Sequence, residues 1–228
     1  MQIKFVNVFE GNIPIVITVP HDGSLGRLIT VDLPIRRPER QNDEGTLFLG
    51  ADIRDCMKEK FGFRPYLIVQ NVERRRLRRY IILNYYEKVL KCVKECLEKW
   101  GKCILFDLHA FQHQPVIGNF DIMLGTNHRQ TVCGNIDLEF GRRLANWVLW
   151  GTEPFDRRNM YIYIPDGESR DGEKFCASKD FTLVKWIKNK EPRSSAIQLE
   201  IYKDWFISID KLRRLAKIIS FAIIATSI

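Results

Sequence analysis

Little in this chain speaks for secretion, for a membrane or for disorder. The N-terminus lacks a basic segment followed by a long apolar one, so no secretory leader is expected. No window reaches the roughly 18–20 apolar residues that a membrane-spanning helix requires. The nearest, 218–228, is short and carries Ser220, Thr226 and Ser227, which fits a buried terminal helix better and implies no membrane partner. Six cysteines are present (56, 92, 96, 103, 133 and 176) but no CxxC pair, which argues against a cysteine-based structural zinc site. Cys92 and Cys96 fall four apart in a helical stretch and Cys103 opens an apolar run, the pattern of reduced, buried thiols in a cytoplasmic protein. Histidine is scarce, 4 among 228 residues, so each one weighs in a search for chemistry. Repeats and low-complexity linkers are absent, and a chain of this length can bury most of its apolar surface around one core. A single domain over 1–228 is the expectation.

What is present is ordinary for a soluble globular protein: 45% hydrophobic and 28% charged residues. Lys+Arg number 36 against 28 Asp+Glu, a formal charge of +8. That balance permits acidic partners without requiring them. Much of it sits in two runs, Arg74, Arg75, Arg76, Arg78 and Arg79, and Lys211, Arg213, Arg214 and Lys217; the second reads as a solvated helix face. No aromatic-interleaved basic motif accompanies either run, so nucleic acid is not the expected partner. A nucleic-acid or phosphate-binding protein using Arg74 to Arg79 is kept as the alternative.

Runs of β-branched and apolar residues predict strands at 13–19, 66–69, 103–108, 120–125, 161–165 and 196–201. Helical spacing predicts helices at 46–61, 84–100, 136–150 and 210–225, three of them stopped by Gly62, Gly101 and Gly151. Strands alternating with helices define an α/β fold with a mostly parallel central sheet and helices on both faces. The stretch 165–181, rich in Gly, Asp, Ser and Lys, reads as a long loop with a functional role.

In such sheets the chemistry collects at the carboxyl ends of the strands. One strand ends in Pro20-His21-Asp22-Gly23, another in Asp107-Leu108-His109, and a third contains Gln198-Leu199-Glu200. Two imidazoles and a carboxylate brought to one rim suit a single divalent metal, zinc above all, with a position left open for water. The carboxylate ligand is expected from Asp43 or Glu44, just before the helix at 46; Asp43 could equally serve as that helix's N-cap. His113 and His128 lie in polar turns and are read as solvent-exposed.

These blocks are similar, and in the same order, to those of the N-formylglutamate amidohydrolases: Pro-His-Asp-Gly, Asp-Glu-Gly-Thr, Phe-Asp-Leu-His-Ala, Asp121 to Thr126, and Gln198 to Ile201. That family is similar in fold to zinc carboxypeptidases and aspartoacylase, a phosphorylase/hydrolase-like architecture. The resemblance spans about residues 13 to 206. It implies zinc on His21, His109 and an acidic residue, with Asp43 favoured by its spacing to Thr46 and Leu49 and Glu44 as the alternative. It implies Glu200 as general base, and Asp107 as a residue that orients a ligand.

One block departs. The family carries Arg-x-x-Asp-Leu-Asn-Arg, and the matching stretch is Arg79-Tyr80-Ile81-Ile82-Leu83-Asn84-Tyr85. Asn84 remains, but isoleucine and tyrosine replace the acid and the final arginine. Arg78 and Arg79, or the other arginines of the 74–79 run, are the expected source of a substrate-binding cation, with Asn84 beside them; otherwise the substrate is not an acidic N-acyl amino acid. The function expected is that of a metal-dependent amidohydrolase acting on a small N-acyl amino acid or peptide. A metal-binding relative without turnover remains the other reading. Nothing in the sequence sets the oligomeric state.

Overall fold

The computed structural model describes residues 5–23, 41–112, 118–150, 160–164 and 175–227. Among these residues seven strands form one sheet: β1 (Val6–Phe9), β2 (Ile15–Val19), β3 (Tyr66–Gln70), β4 (Ile104–Phe111), β5 (Ile122–Gly125), β6 (Ile162–Tyr163) and β7 (Ser195–Tyr202). Their spatial order is β1-β3-β2-β4-β7-β5-β6. The inner run β3-β2-β4-β7 is parallel throughout, while β1 joins β3 and β5 joins β7 antiparallel. The mostly parallel α/β sheet is therefore present, flanked on its edges by strands that run the other way.

Among the described residues five α-helices cover the sheet: α1 (Thr46–Phe61), α2 (Arg79–Trp100), α3 (Ile136–Trp150), α4 (Leu183–Lys190) and α5 (Ile209–Ser227). Side-chain alternation along each inner strand sorts them onto two faces. Ile15, Ile17, Val19, Phe106, Leu108, Ile197, Leu199 and Ile201 pack with residues of α1, α3 and α5. Val16, Leu105 and Ala196 pack with α2 and α4. On this second face the alternation continues toward the carboxyl ends with polar residues: Thr18 after Val16, Asp107 and His109 after Leu105, Gln198 and Glu200 after Ala196. Apolar rows thus give way to polar ones at one edge of one face.

The helix expected at 84–100 starts earlier, at Arg79, because Ile81 is a buried anchor one turn ahead of Tyr85. The strand expected at 103–108 continues to Phe111, so His109 lies within β4 and not beyond it. β1 and α4 were not expected from the sequence. Of the loop expected at 165–181, residues 165–174 lie outside those described. None of the six cysteines is in a disulfide; Cys92, Cys96, Cys103 and Cys176 are buried, Cys56 is half-buried, and Cys133 is exposed, against the expectation of buried thiols. Among the described residues no helix is long and apolar enough to cross a membrane.

Candidate active site

Parallel pairing fixes the rim. Thr18 of β2 is opposite Asp107 of β4, Asp107 is opposite Gln198 of β7, and His109 is opposite Glu200. Asp43 arrives from the loop before α1, whose entry is built around Asp22. The Asp22 Oδ2 accepts the Gly45 and Leu47 amides at 2.9 and 3.0 Å, capping α1 from a distant segment. Gly45 turns the chain at φ 96°, a left-handed conformation that glycine adopts without strain. The Asp43 amide bonds the His21 carbonyl at 2.9 Å, which draws the loop back onto the sheet edge. With Asp22 as the cap, the Asp43 side chain is released from that task. It is 4% exposed and turned inward, while Glu44 beside it is exposed.

His109 is the hub. Its Nδ1 lies 3.1 Å from Asp43 Oδ2 and its Nε2 2.9 Å from Asp107 Oδ2. Burial works against the imidazolium, but the charge and hydrogen bonds of Asp107, then Asp43 and Glu200, outweigh it and hold the imidazole pKa well above its ordinary value. Each ring nitrogen thus faces one carboxylate oxygen. Asp43 Oδ1 takes an N–H of Arg74 at 3.2 Å. Asp107 Oδ1 accepts the Thr18 hydroxyl at 2.6 Å. The His21 ring meets the His109 ring edge-on at a centroid distance of 5.2 Å. Glu200 is half-buried, and its Oε1 accepts from Gln198 Nε2 at 2.5 Å. Burial raises its carboxyl above the usual range; His109 pulls it down, and Asp43 pushes it up.

The arginine run is divided among different partners. Arg75 and Arg76 both pair with Glu73, at 3.1 and 2.6 Å, while Arg74 serves Asp43. Arg78 is half-buried just before α2, and its Nε is buried without a hydrogen bond among the described residues. Arg79 and Asn84 are exposed. Tyr85 is 2% exposed, buried between α2 and the sheet and closed to solvent. His113 lies outside the described residues. His128 follows β5, at the opposite edge of the sheet. Sequence reasoning placed Asp107 beside the site but gave no part to Thr18 or Gln198 and no particular part to Arg74. The strand parity shared by Thr18, Asp107, His109, Gln198 and Glu200, all polar within apolar strands, was the available signal.

Among the described residues no three His, Cys, Asp or Glu side chains converge as a ready-made metal site. The donor chemistry nevertheless fits one zinc ion. Asp107 occupies His109 Nε2 and so turns Nδ1 toward Asp43, the arrangement in which a carboxylate orients a ligating imidazole.

A polar cluster at the carboxyl edge of a parallel core is where α/β enzymes hold their substrates. The same fold is found in N-formylglutamate amidohydrolase from Ralstonia eutropha, 13% identical over 96% of both chains with a TM-score of 0.65. It is found again in a gene product of Agrobacterium tumefaciens, 12% identical over 97% of this chain and 94% of that one, TM-score 0.53. No protein-family model and no curated protein matches the chain.

Proposed function

We propose that this protein is a zinc-dependent amide hydrolase acting on a small N-acyl amino acid or peptide. The observation that carries the reading is the Asp43–His109–Asp107 cluster, with His21 and Glu200 beside it on one rim. His21, Asp43 and His109 would hold the ion, which as a Lewis acid polarises the amide carbonyl and makes water more acidic. Glu200 takes the proton of the attacking water and returns it to the leaving nitrogen. Its raised pKa suits that exchange better than an ordinary, fully ionised carboxylate. Arg74, whose Nε is buried without a partner among the described residues, offers an N–H to the developing oxyanion. Arg78, Arg79 and Asn84 stand at and beyond the start of α2, on the approach from β3, and would meet the substrate's carboxylate or amide end. The likeness in fold to an amidohydrolase supports the reading, as does the order of the sequence blocks.

The alternative, nucleic-acid or phosphate binding by the arginine run, is weakened by Glu73 and Asp43. They pair with Arg74, Arg75 and Arg76 within the chain and offset two of the three charges.

The test is metal analysis of the purified protein followed by a screen of N-acyl amino acids and short peptides. One zinc per chain is expected, lost in His21→Ala and His109→Ala. Glu200→Gln should keep the zinc and the substrate affinity while turnover falls by about 10²–10⁴. Full zinc occupancy in both histidine variants, or near-normal turnover in Glu200→Gln, contradicts the assignment.

A further inference from the structure

Asp107 and Thr18 are 1% and 0% exposed, so their hydrogen bonds have no competition from water. Each oxygen of Asp107 has its own donor. Oδ2 takes the His109 Nε2–H at 2.9 Å and Oδ1 takes the Thr18 hydroxyl at 2.6 Å. A hydroxyl has one proton to give, and Asp107 Oδ1 at 2.6 Å is much closer to it than the Phe106 carbonyl at 3.4 Å. The proton therefore belongs to Asp107. The Tyr85 hydroxyl reaches Thr18 from α2 and lies 3.4 Å from the Ile68 carbonyl. Tyr85 thus backs the Thr18 hydroxyl from below.

We infer that Thr18 is a positioning residue for the metal site: by filling Asp107 Oδ1 it fixes the carboxylate against His109 Nε2 and leaves Nδ1 as the only nitrogen offered to a metal. The inference rests on the proposed zinc site and concerns a residue outside the ligand set. Without the hydroxyl, Oδ1 would be a buried acceptor with no donor. The carboxylate would then rotate to relieve it, and the imidazole would lose both its angle and its preferred proton position. Partners of a metal-binding histidine typically change metal affinity by about 10–100-fold when removed. Thr18 acts one bond further out, through Asp107 Oδ1, so the lower part of that range is expected. Tyr85 supports Thr18 in turn, which gives this tyrosine a task at the position where the family carries an arginine.

The experiment measures zinc affinity by competition with a chromogenic chelator in the wild-type protein, Thr18→Val and Thr18→Ser, with thermal midpoints of the zinc-free forms taken alongside. Thr18→Val, which keeps the shape and removes the hydroxyl, should bind zinc about tenfold more weakly. Thr18→Ser should restore wild-type affinity. A purely structural role would lower the midpoint of Thr18→Val and leave its zinc affinity unchanged, and that result overturns the inference. If Thr18→Val does not fold, imidazole ¹⁵N spectra of the zinc-loaded wild type decide. Metal on Nδ1 with a proton on Nε2 supports the assignment, and the reverse overturns it. Failure of the wild-type protein to bind zinc at all sinks the zinc site itself, an outcome distinct from equal affinities in wild type and Thr18→Val.

Discussion

Asp43 and Glu44 are adjacent, similar in chemistry and equally reachable by sequence reasoning, yet only Asp43 faces His109. The choice is made by Asp22, which takes over the capping of α1 and whose contact with residues 45 and 47 no local pattern reveals. Arg74 was hidden in the same way: five arginines in six positions look alike until Glu73 claims two of them. Glu73 is itself 5% exposed, and that makes it testable. Burial alone would raise its carboxyl, but the hydrogen bonds and charges of Arg75 and Arg76 prevail and hold it below the usual carboxylate range. A folded-state pKa below the unfolded one adds stability above the unfolded value, near 4.3, and loses it as pH falls through the folded pKa. Glu73→Gln should therefore cost about 1–2 kcal/mol at pH 7, a hydrogen-bonded charge discounted for the partly exposed arginines. The difference should shrink steadily in urea titrations run below about pH 4. A deficit that stays constant down to pH 3 would show that the ion pairs contribute nothing.

At the scale of elements, the parts of the fold that patterning revealed are those whose pattern is paid for by burial on both sides. β2, β3, β4 and β7 were legible because inner parallel strands, buried on both faces, are apolar over most of their length. β1 is four residues long on an edge, with polar Asn7 in its middle, and leaves too short an alternation to register. α4 has eight residues, fewer than the spacing of a longer helix needs to declare itself, and only Leu183, Val184 and Ile187 are buried. The start of α2 was missed because arginines mask Ile81, its one buried residue in the first turn. The entry of α1 carries a prediction of its own. Gly45 supplies no side-chain cap, so the two amides bonded to Asp22 depend on that residue alone for a side-chain acceptor. Asp22→Ala should destabilise the protein by about 1 kcal/mol or somewhat more, which for a chain of this size lowers the midpoint by roughly 2–4 °C per kcal/mol. Amide exchange at Gly45 and Leu47 should accelerate with it. Unaltered exchange at both would mean that water caps the helix equally well.

For the whole molecule, the candidate ligands join distant parts of the chain: His21 follows β2, Asp43 precedes α1, and His109 lies in β4. An ion held by all three is available only to the folded state, where the Asp43 loop is drawn onto the rim. The unfolded chain holds these side chains far apart, and even a loose site therefore shifts the folding equilibrium by mass action. At free zinc about 100 times its dissociation constant the gain is about 2.7 kcal/mol, which corresponds to roughly 5–11 °C in thermal midpoint for a domain of this length. Zinc should raise the midpoint of the wild-type protein by that order, and a chelator should reverse it. His109→Ala should show no such rise, whatever its starting stability, because the hub of the cluster has gone. Glu200→Gln should rise as the wild type does, since Glu200 hydrogen-bonds Gln198 and is no ligand in this arrangement. A rise lost in Glu200→Gln would move Glu200 from proton transfer into the coordination shell. An equal rise in His109→Ala would place the zinc elsewhere on the molecule, for which the exposed thiol of Cys133 is the first residue to remove.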